Sequence, residues 1–165
     1  TGRLALPDDE AALGQIAVAC DAFAAAGLVR YEVSNYAKPG FACRHNSAVW
    51  RGEDYVGLGE GAHGRVGLTR TVGTATGYET TTVTAREDAF ERAVLGLRTA
   101  AGLDLADTAR RHPLLAPYLP AWRTRLAALV APGILHAPSP DRFVPTARGF
   151  EVCDAVMAEL ALDET

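Results

Sequence analysis

Residues 31–64 read YEVSNYAKPGFACRHNSAVWRGEDYVGLGEGAHG, and this stretch decides the fold. It opens on an alternation. Val29, Tyr31 and Val33 interleave with Arg30, Glu32 and Ser34, which predicts a strand from Leu28 to Tyr36. Lys38-Pro39-Gly40 then breaks the chain into a loop. Residues 41–50 hold Cys43, Arg44, His45, Asn46 and Trp50 with no clear period, and are expected as loop. A second short strand, Tyr55 to Leu58, runs into Gly57, Gly59, Gly61 and Gly64. Gly57 to Ala62 approaches the dinucleotide pattern G-x-G-x-x-G but ends on Ala62, lacks a good helix start and sits in no complete βαβ unit. These glycines are read instead as places for tight turns or close approach of the backbone to a ligand.

Upstream, the acids of Pro7-Asp8-Asp9-Glu10 suit the start of a helix. Leu13, Ile16, Ala17, Cys20, Phe23 and Ala24 form one apolar stripe, so Cys20 is expected as a packed core thiol, and Gly27 ends the helix. Downstream, residues 65–82 are rich in Gly and Thr and are expected as a loop with at most a short edge strand. Thr84-Ala85-Arg86-Glu87 is a capping box, followed by the stripe Phe90, Ala93, Val94, Leu97 and a stop at Gly102. Asp104 caps a short helix ending before Pro113, and Leu119 to Val130 form another. Ile134–His136 and Arg142–Val144 flank Pro138-Ser139-Pro140-Asp141 as a hairpin, and Thr146 caps a last helix with Phe150, Cys153, Met157 and Leu160 inward. Helix, helix, hairpin, helix is a winged-helix-like order.

Composition sets limits. The 165 residues are 48% hydrophobic and 22% charged, a globular balance, and the formal charge is −4. That argues against a general phosphate-backbone binder. The tail alone, residues 104–165, carries six Arg against eight acids, so nucleic acid is not an expected partner. No apolar run of about 18 residues predicts a transmembrane helix, and no signal peptide is read at the N-terminus. Peripheral membrane association stays open. Cys20, Cys43 and Cys153 are odd in number and far apart, which fits a reducing, cytoplasmic setting and cannot form a three-cysteine iron–sulfur motif.

The chemistry concentrates in the opening stretch. His45 is a candidate to ligate a metal or haem iron or to shuttle a proton, and Trp50 to stack on a flat ring. The competing reading is a loop histidine bonded to backbone and a tryptophan plugging the core. His63 carries the same ambiguity. Cys43, beside Arg44, is the one thiol expected to be reactive, because a neighbouring cation lowers a thiol pKa. His112 sits at a helix end where positive charge suits the dipole, and His136 in the hairpin; both read as structural or solvent-facing. No serine-hydrolase pattern occurs.

The string Y-E-V-S-N-Y-A, then R-H-N-x-x-V-W, then G-x-G-x-G-A resembles the oxygen-independent coproporphyrinogen III oxidase-like family of radical SAM proteins, and within it most closely the HemW-type haem chaperones. Gly2-Arg3-Leu4 with Leu6-Pro7, Gly96-Leu97-Arg98, Gly102-Leu103-Asp104-Leu105 and Thr146-Ala147-Arg148-Gly149 resemble flanking pieces of the family. The resemblance implies an α/β fold: terminal strands and helix of a partial (βα) radical SAM barrel over 1–68, a loop over 69–82, and a mainly helical, winged-helix-like C-terminal domain over 83–165. It implies that the [4Fe–4S] cluster and S-adenosylmethionine of full-length members have their ligands outside this chain, so no residue here is assigned a catalytic role and enzymatic activity stays undecided. By the resemblance, His45 is the haem-iron candidate, Asn46 orients it, Trp50 packs on the macrocycle, and Cys43 and His63 are weaker iron candidates. Val49 stands where the family usually has Tyr, which removes a phenol. The implied function is haem binding and delivery to a recipient such as a respiratory enzyme. The alternatives are oxidative decarboxylation of coproporphyrinogen III, or an interaction module without ligand.

Overall fold

A computed structural model describes residues 7–162 of the chain. The resembling pieces Gly2-Arg3-Leu4 and Leu6 lie outside the described residues. The chain divides into two units, meeting at Ala42 and Cys43.

In the first unit, helix α1 spans Asp9–Ala25, and the Asp8 side chain accepts from the Ala11 N–H at 2.8 Å. Its end is a Schellman closure: the Leu28 N–H donates to the Phe23 carbonyl and the Gly27 N–H to that of Ala24. The expected strand Leu28–Tyr36 is instead two short strands, β1 (Val29–Arg30) and β2 (Tyr36–Ala37), paired antiparallel. The chain turns at Glu32 to Asn35, and the Ser34 N–H donates to the Glu32 carboxylate at 3.1 Å. The α1 stripe is not buried as expected: Leu13 is 46% and Ile16 43% exposed. Within this unit a hairpin of two-residue strands is too small to cover a 17-residue helix. Cys20 is half-buried and its Sγ hydrogen-bonds with the Tyr36 hydroxyl at 2.8 Å, rather than packing among apolar groups.

The second unit begins with α2 (Arg44–Trp50), where the sequence predicts loop. Its stop is again a Schellman closure, from the Glu53 N–H to the Ala48 carbonyl and from that of Gly52 to Val49. Tyr55 forms only an isolated bridge, to Arg65, in place of the expected strand from Tyr55 to Leu58. The Gly/Thr tract, expected as a loop over 69–82, is an antiparallel meander: β3 (His63–Val66), β4 (Thr69–Thr74) and β5 (Gly77–Thr82). Two-residue turns join the strands, and threonine suits the pleated, half-buried β4.

The glycine-rich segment docks on this meander. The Gly73 N–H donates to the Ala62 carbonyl and its own carbonyl accepts from Gly61, both at 2.8 Å. A Cβ on Gly73 would stand 1.8 Å from the Gly59 carbonyl oxygen, so only glycine fits. Gly73→Ala is expected to cost about 2–3 kcal/mol by overpacking, read as a lowered thermal midpoint.

α3 (Ala85–Val94) carries the expected capping box: the Thr84 hydroxyl accepts from the Glu87 N–H and the Glu87 carboxylate from the Thr84 N–H. A 3-10 turn, Leu95–Arg98, continues it. Strand β6 (Leu103–Asp104) leads into α4 (Leu105–Arg111), which Asp104 caps; α5 (Leu119–Ala128) follows. The hairpin β7 (Leu135–Ser139) and β8 (Arg142–Pro145) gains β6 as a third strand, in the order β6-β8-β7. The expected last helix is two pieces, α6 (Ala147–Glu151) and α7 (Cys153–Ala158), broken at Val152. The core lies among these elements: Leu97, Leu105, Leu115, Trp122, Leu126, Phe143 and Leu160 are fully buried, and Phe90 meets Trp122 edge-on at 5.9 Å. Among the described residues no helix is long and apolar enough to cross a membrane.

Candidate functional site

Helix α2 gathers most of the candidates. Cys43 is its N-cap residue, with no side-chain cap bond, and is exposed. His45 is exposed, while Asn46, Val49 and Trp50 are half-buried. At about 100° per residue, His45 shares a face with Val49, and Asn46 shares one with Trp50. His45 and Trp50 are five residues apart and therefore diverge by about 140°. The helix thus brings the four candidates into two turns but aims the imidazole and the indole differently. His63 stands apart on β3, exposed and opposite Val72.

Two side chains that the sequence does not single out touch these groups. Tyr55 meets the His45 ring edge-on, centroids 6.2 Å apart. The Arg98 guanidinium carbon lies 5.6 Å from the centroid of Trp50, a cation–π contact, and the same guanidinium ion-pairs with Asp154 of α7. The only available signal was the Gly96-Leu97-Arg98 string, which carries no geometry.

A charge cluster holds this region in place. Arg65 and Arg70 face each other across β3 and β4, an unfavourable like-charge pair. Asp88 and Glu91, one turn apart on α3, offset it: Arg65 pairs with both and Arg70 with Glu91. Arg92 reaches further. It donates to both Asp88 oxygens at 2.9–3.0 Å, to Asp54 at 3.1 Å, to the Gly67 carbonyl at 3.2 Å and to the carbonyl of Gly52, whose N–H closes α2.

Titration follows this geometry. Burial works against ionising Asp88, but hydrogen bonds from Arg65 and Arg92 outweigh it and hold its carboxyl below the usual range. The Gly67 N–H and then Arg92 do the same for Asp54; burial works against the Arg92 charge, but hydrogen bonds to Asp88 and Asp54 outweigh it and raise Arg92. Because Asp88 is depressed on folding, its stabilisation is complete above its ordinary value of 3.8 and is lost as pH falls through the lower folded-state value. Denaturant unfolding at pH 7 and pH 3 is expected to show lower stability at pH 3, with the difference reduced in Asp88→Asn. Burial, then Arg111, push His112 below the usual imidazole range, which disfavours the charge that would suit its helix end. Burial raises the Cys153 thiol, consistent with its place in the core.

In the first unit Glu32 is 1% exposed, although the alternation placed it with the polar set. Its Oε1 has no hydrogen-bond partner among the described residues.

Among the described residues no group of three or more His, Cys, Asp or Glu is arranged to hold a metal ion, so these residues do not fit an iron–sulfur cluster. An axial bond to a haem iron needs only one imidazole, and exposed His45 fits that demand.

No protein-family model matches the chain. It is 35% identical over 173 aligned residues to the heme chaperone HemW of Mycobacterium tuberculosis, covering 96% of the chain and 42% of that protein. It is 36% identical to the heme chaperone HemW of Bacillus subtilis over 67% of the chain and 33% of that protein. The chain therefore spans less than half the length of the curated relatives it matches. The solved structure of Escherichia coli coproporphyrinogen III oxidase (HemN), described as a radical SAM enzyme, superposes with a TM-score of 0.68 over 94% of this chain and 42% of that one. At 14% identity that likeness shows the fold alone.

Proposed function

Because this chain belongs to the HemW-like branch of the radical SAM coproporphyrinogen III oxidase-like proteins, we propose that it is the C-terminal part of a haem chaperone and carries the haem-contacting helix. The observation that carries the reading is His45, an exposed imidazole on α2 within a segment 35% identical to a heme chaperone. In this proposal His45 donates a nitrogen lone pair to the iron, Asn46 steadies α2 beside it, and Trp50, about 140° further round the helix, offers an aromatic wall to the edge of the macrocycle. Cys43, one residue before α2, and His63 on β3 are the weaker iron ligands. Val49 leaves the face it shares with His45 without a phenol, and Tyr55 brings an aromatic ring edge-on to His45 from outside the helix.

The cargo's iron and macrocycle are held; the polypeptide's part is to bind reversibly. A single exposed ligand on a seven-residue helix suits release to a recipient better than a closed pocket with two ligands would. The radical SAM cluster and S-adenosylmethionine belong to the rest of the longer protein, together with the partial barrel that residues 1–68 would complete. The three-stranded sheet β6-β8-β7 with α4, α5 and α6 supports a winged-helix-like reading of the C-terminal region. The setting proposed is cytoplasmic, with haem and a haem-accepting protein as partners; peripheral membrane association is not part of the proposal.

Transfer is the test. The intact protein loaded with haem is expected to pass it stoichiometrically to an apo-haemoprotein, followed by absorbance. Loss of propionate groups from coproporphyrinogen III with no haem transfer would overturn the chaperone reading in favour of the oxidase. Neither activity would leave the interaction module.

A further inference from the structure

The geometry points to Arg98 as the anchor for a propionate carboxylate of the tetrapyrrole that α2 receives, an inference that rests on the haem reading of α2. Three observations carry it. First, Arg98 is rigidly placed. It ends the 3-10 turn Leu95–Arg98, where Leu97 is fully buried and a Cβ on Gly96 would stand 2.7 Å from the Gly102 carbonyl oxygen. The turn is thereby locked against β6, and the guanidinium has a fixed origin. Second, its cationic plane lies over Trp50, 5.6 Å from the ring centroid. A flat macrocycle that reaches Trp50 therefore meets a guanidinium at the same place, and a haem carries its two carboxylates on one edge of the ring. Third, the guanidinium is already holding a carboxylate. Its partner is Asp154, whose side chain is 76% exposed against 27% for Arg98.

That asymmetry decides which group is exchangeable. The arginine is the half-desolvated, fixed partner, and the aspartate is the solvated, movable one. Exposed pairs of this kind contribute little net energy, so Asp154 gives way at small cost. A propionate arriving from the macrocycle edge replaces it with the planar two-point geometry that guanidinium favours, while the ring gains the indole. Asp154 in turn acts as the built-in competitor: it fills the subsite when no ligand is bound, and its release is a requirement for tight binding. Arg98 and Asp154 thus select a ligand that presents a carboxylate next to an aromatic plane, which an uncharged porphyrin ester does not.

The test titrates the intact protein with haem and with haem dimethyl ester, in which both propionates are neutralised, following the Soret band. Arg98→Gln is expected to raise the haem Kd about tenfold and leave the ester Kd unchanged, as loss of a charge-assisted bond requires. Asp154→Asn is expected to lower the haem Kd about threefold, with no effect on the ester. If Arg98 merely supports Trp50 or the fold, Arg98→Gln weakens haem and ester alike, and the inference falls while the haem reading stands. Equal haem affinity in wild type and Arg98→Gln has the same meaning. Absence of saturable binding of either ligand to the wild type overturns the haem reading and this inference with it.

Discussion

Replacing Arg92 with alanine is expected to destabilise the second unit by about 3–5 kcal/mol, the range for breaking a paired charge withdrawn from water. The side chain is only 15% exposed, and it ties four places together: Asp88 on α3, Asp54, the Gly67 turn between β3 and β4, and the Gly52 carbonyl at the end of α2. Truncation leaves the Gly52 and Gly67 carbonyls without this donor; Gly52 is buried, and a buried acceptor left unmatched costs about 1–3 kcal/mol, whereas the exposed Gly67 carbonyl turns to water. Asp54 is half exposed, so its share is small. Arg65 still serves Asp88, which keeps the loss from being larger. The local consequence is specific. Hydrogen exchange in the intact protein should speed up at the amides of α2 and of Glu53, while α5 stays protected. Arg92→Lys keeps the charge but lacks the planar fork that reaches several acceptors at once, and so recovers little. A loss under about 1 kcal/mol with unchanged exchange at α2 would show that the cluster is peripheral.

Trp122→Ala is the second large effect, about 3–5 kcal/mol. Trp122 is 1% exposed, sits at the centre of the core on α5 and meets Phe90 of α3 edge-on. Removing the indole leaves a cavity bordered by elements that the β6-β8-β7 sheet and two helices fix in place, so collapse is limited. Chemical denaturation should show a lowered midpoint, and Trp122→Phe should recover part of it. Trp50 makes a useful contrast. It is half-buried on a short helix, and its contact is with a cation rather than the core. The two tryptophans of the chain thus separate fold from site.

Where local chemistry announces an element, the sequence is explicit. Asp8, Thr84, Asp104 and Thr146 each accept a backbone N–H at a helix start, and α1, α3, α4 and α6 begin where those side chains predict. The hairpin around Pro138–Asp141 is equally plain. What escaped notice lacked such signals. α2 is seven residues long, its N-cap Cys43 makes no side-chain bond, and it buries no residue fully, so neither cap nor period marks it. β5 is exposed on every residue and therefore shows no alternation to read. Periodicity in α1 reveals a stripe but not what covers it, and within the first unit Leu13 and Ile16 stay exposed. The break at Val152 has no Gly or Pro to announce it. The candidate site divides in the same way. His45, Asn46 and Trp50 are adjacent in sequence and could be named from the resemblance, whereas Tyr55, Arg92 and Arg98 join them only through tertiary contacts that no local pattern encodes.

The central claim is that His45 ligates haem iron, and a Soret titration of the intact protein tests it most directly. Wild type should show a saturable, ligand-shifted band. That band should be lost in His45→Ala and retained in Cys43→Ser and His63→Ala, all three folding as wild type by circular dichroism. A shifted band that survives in His45→Ala, or wild-type protein that never saturates, would contradict the account.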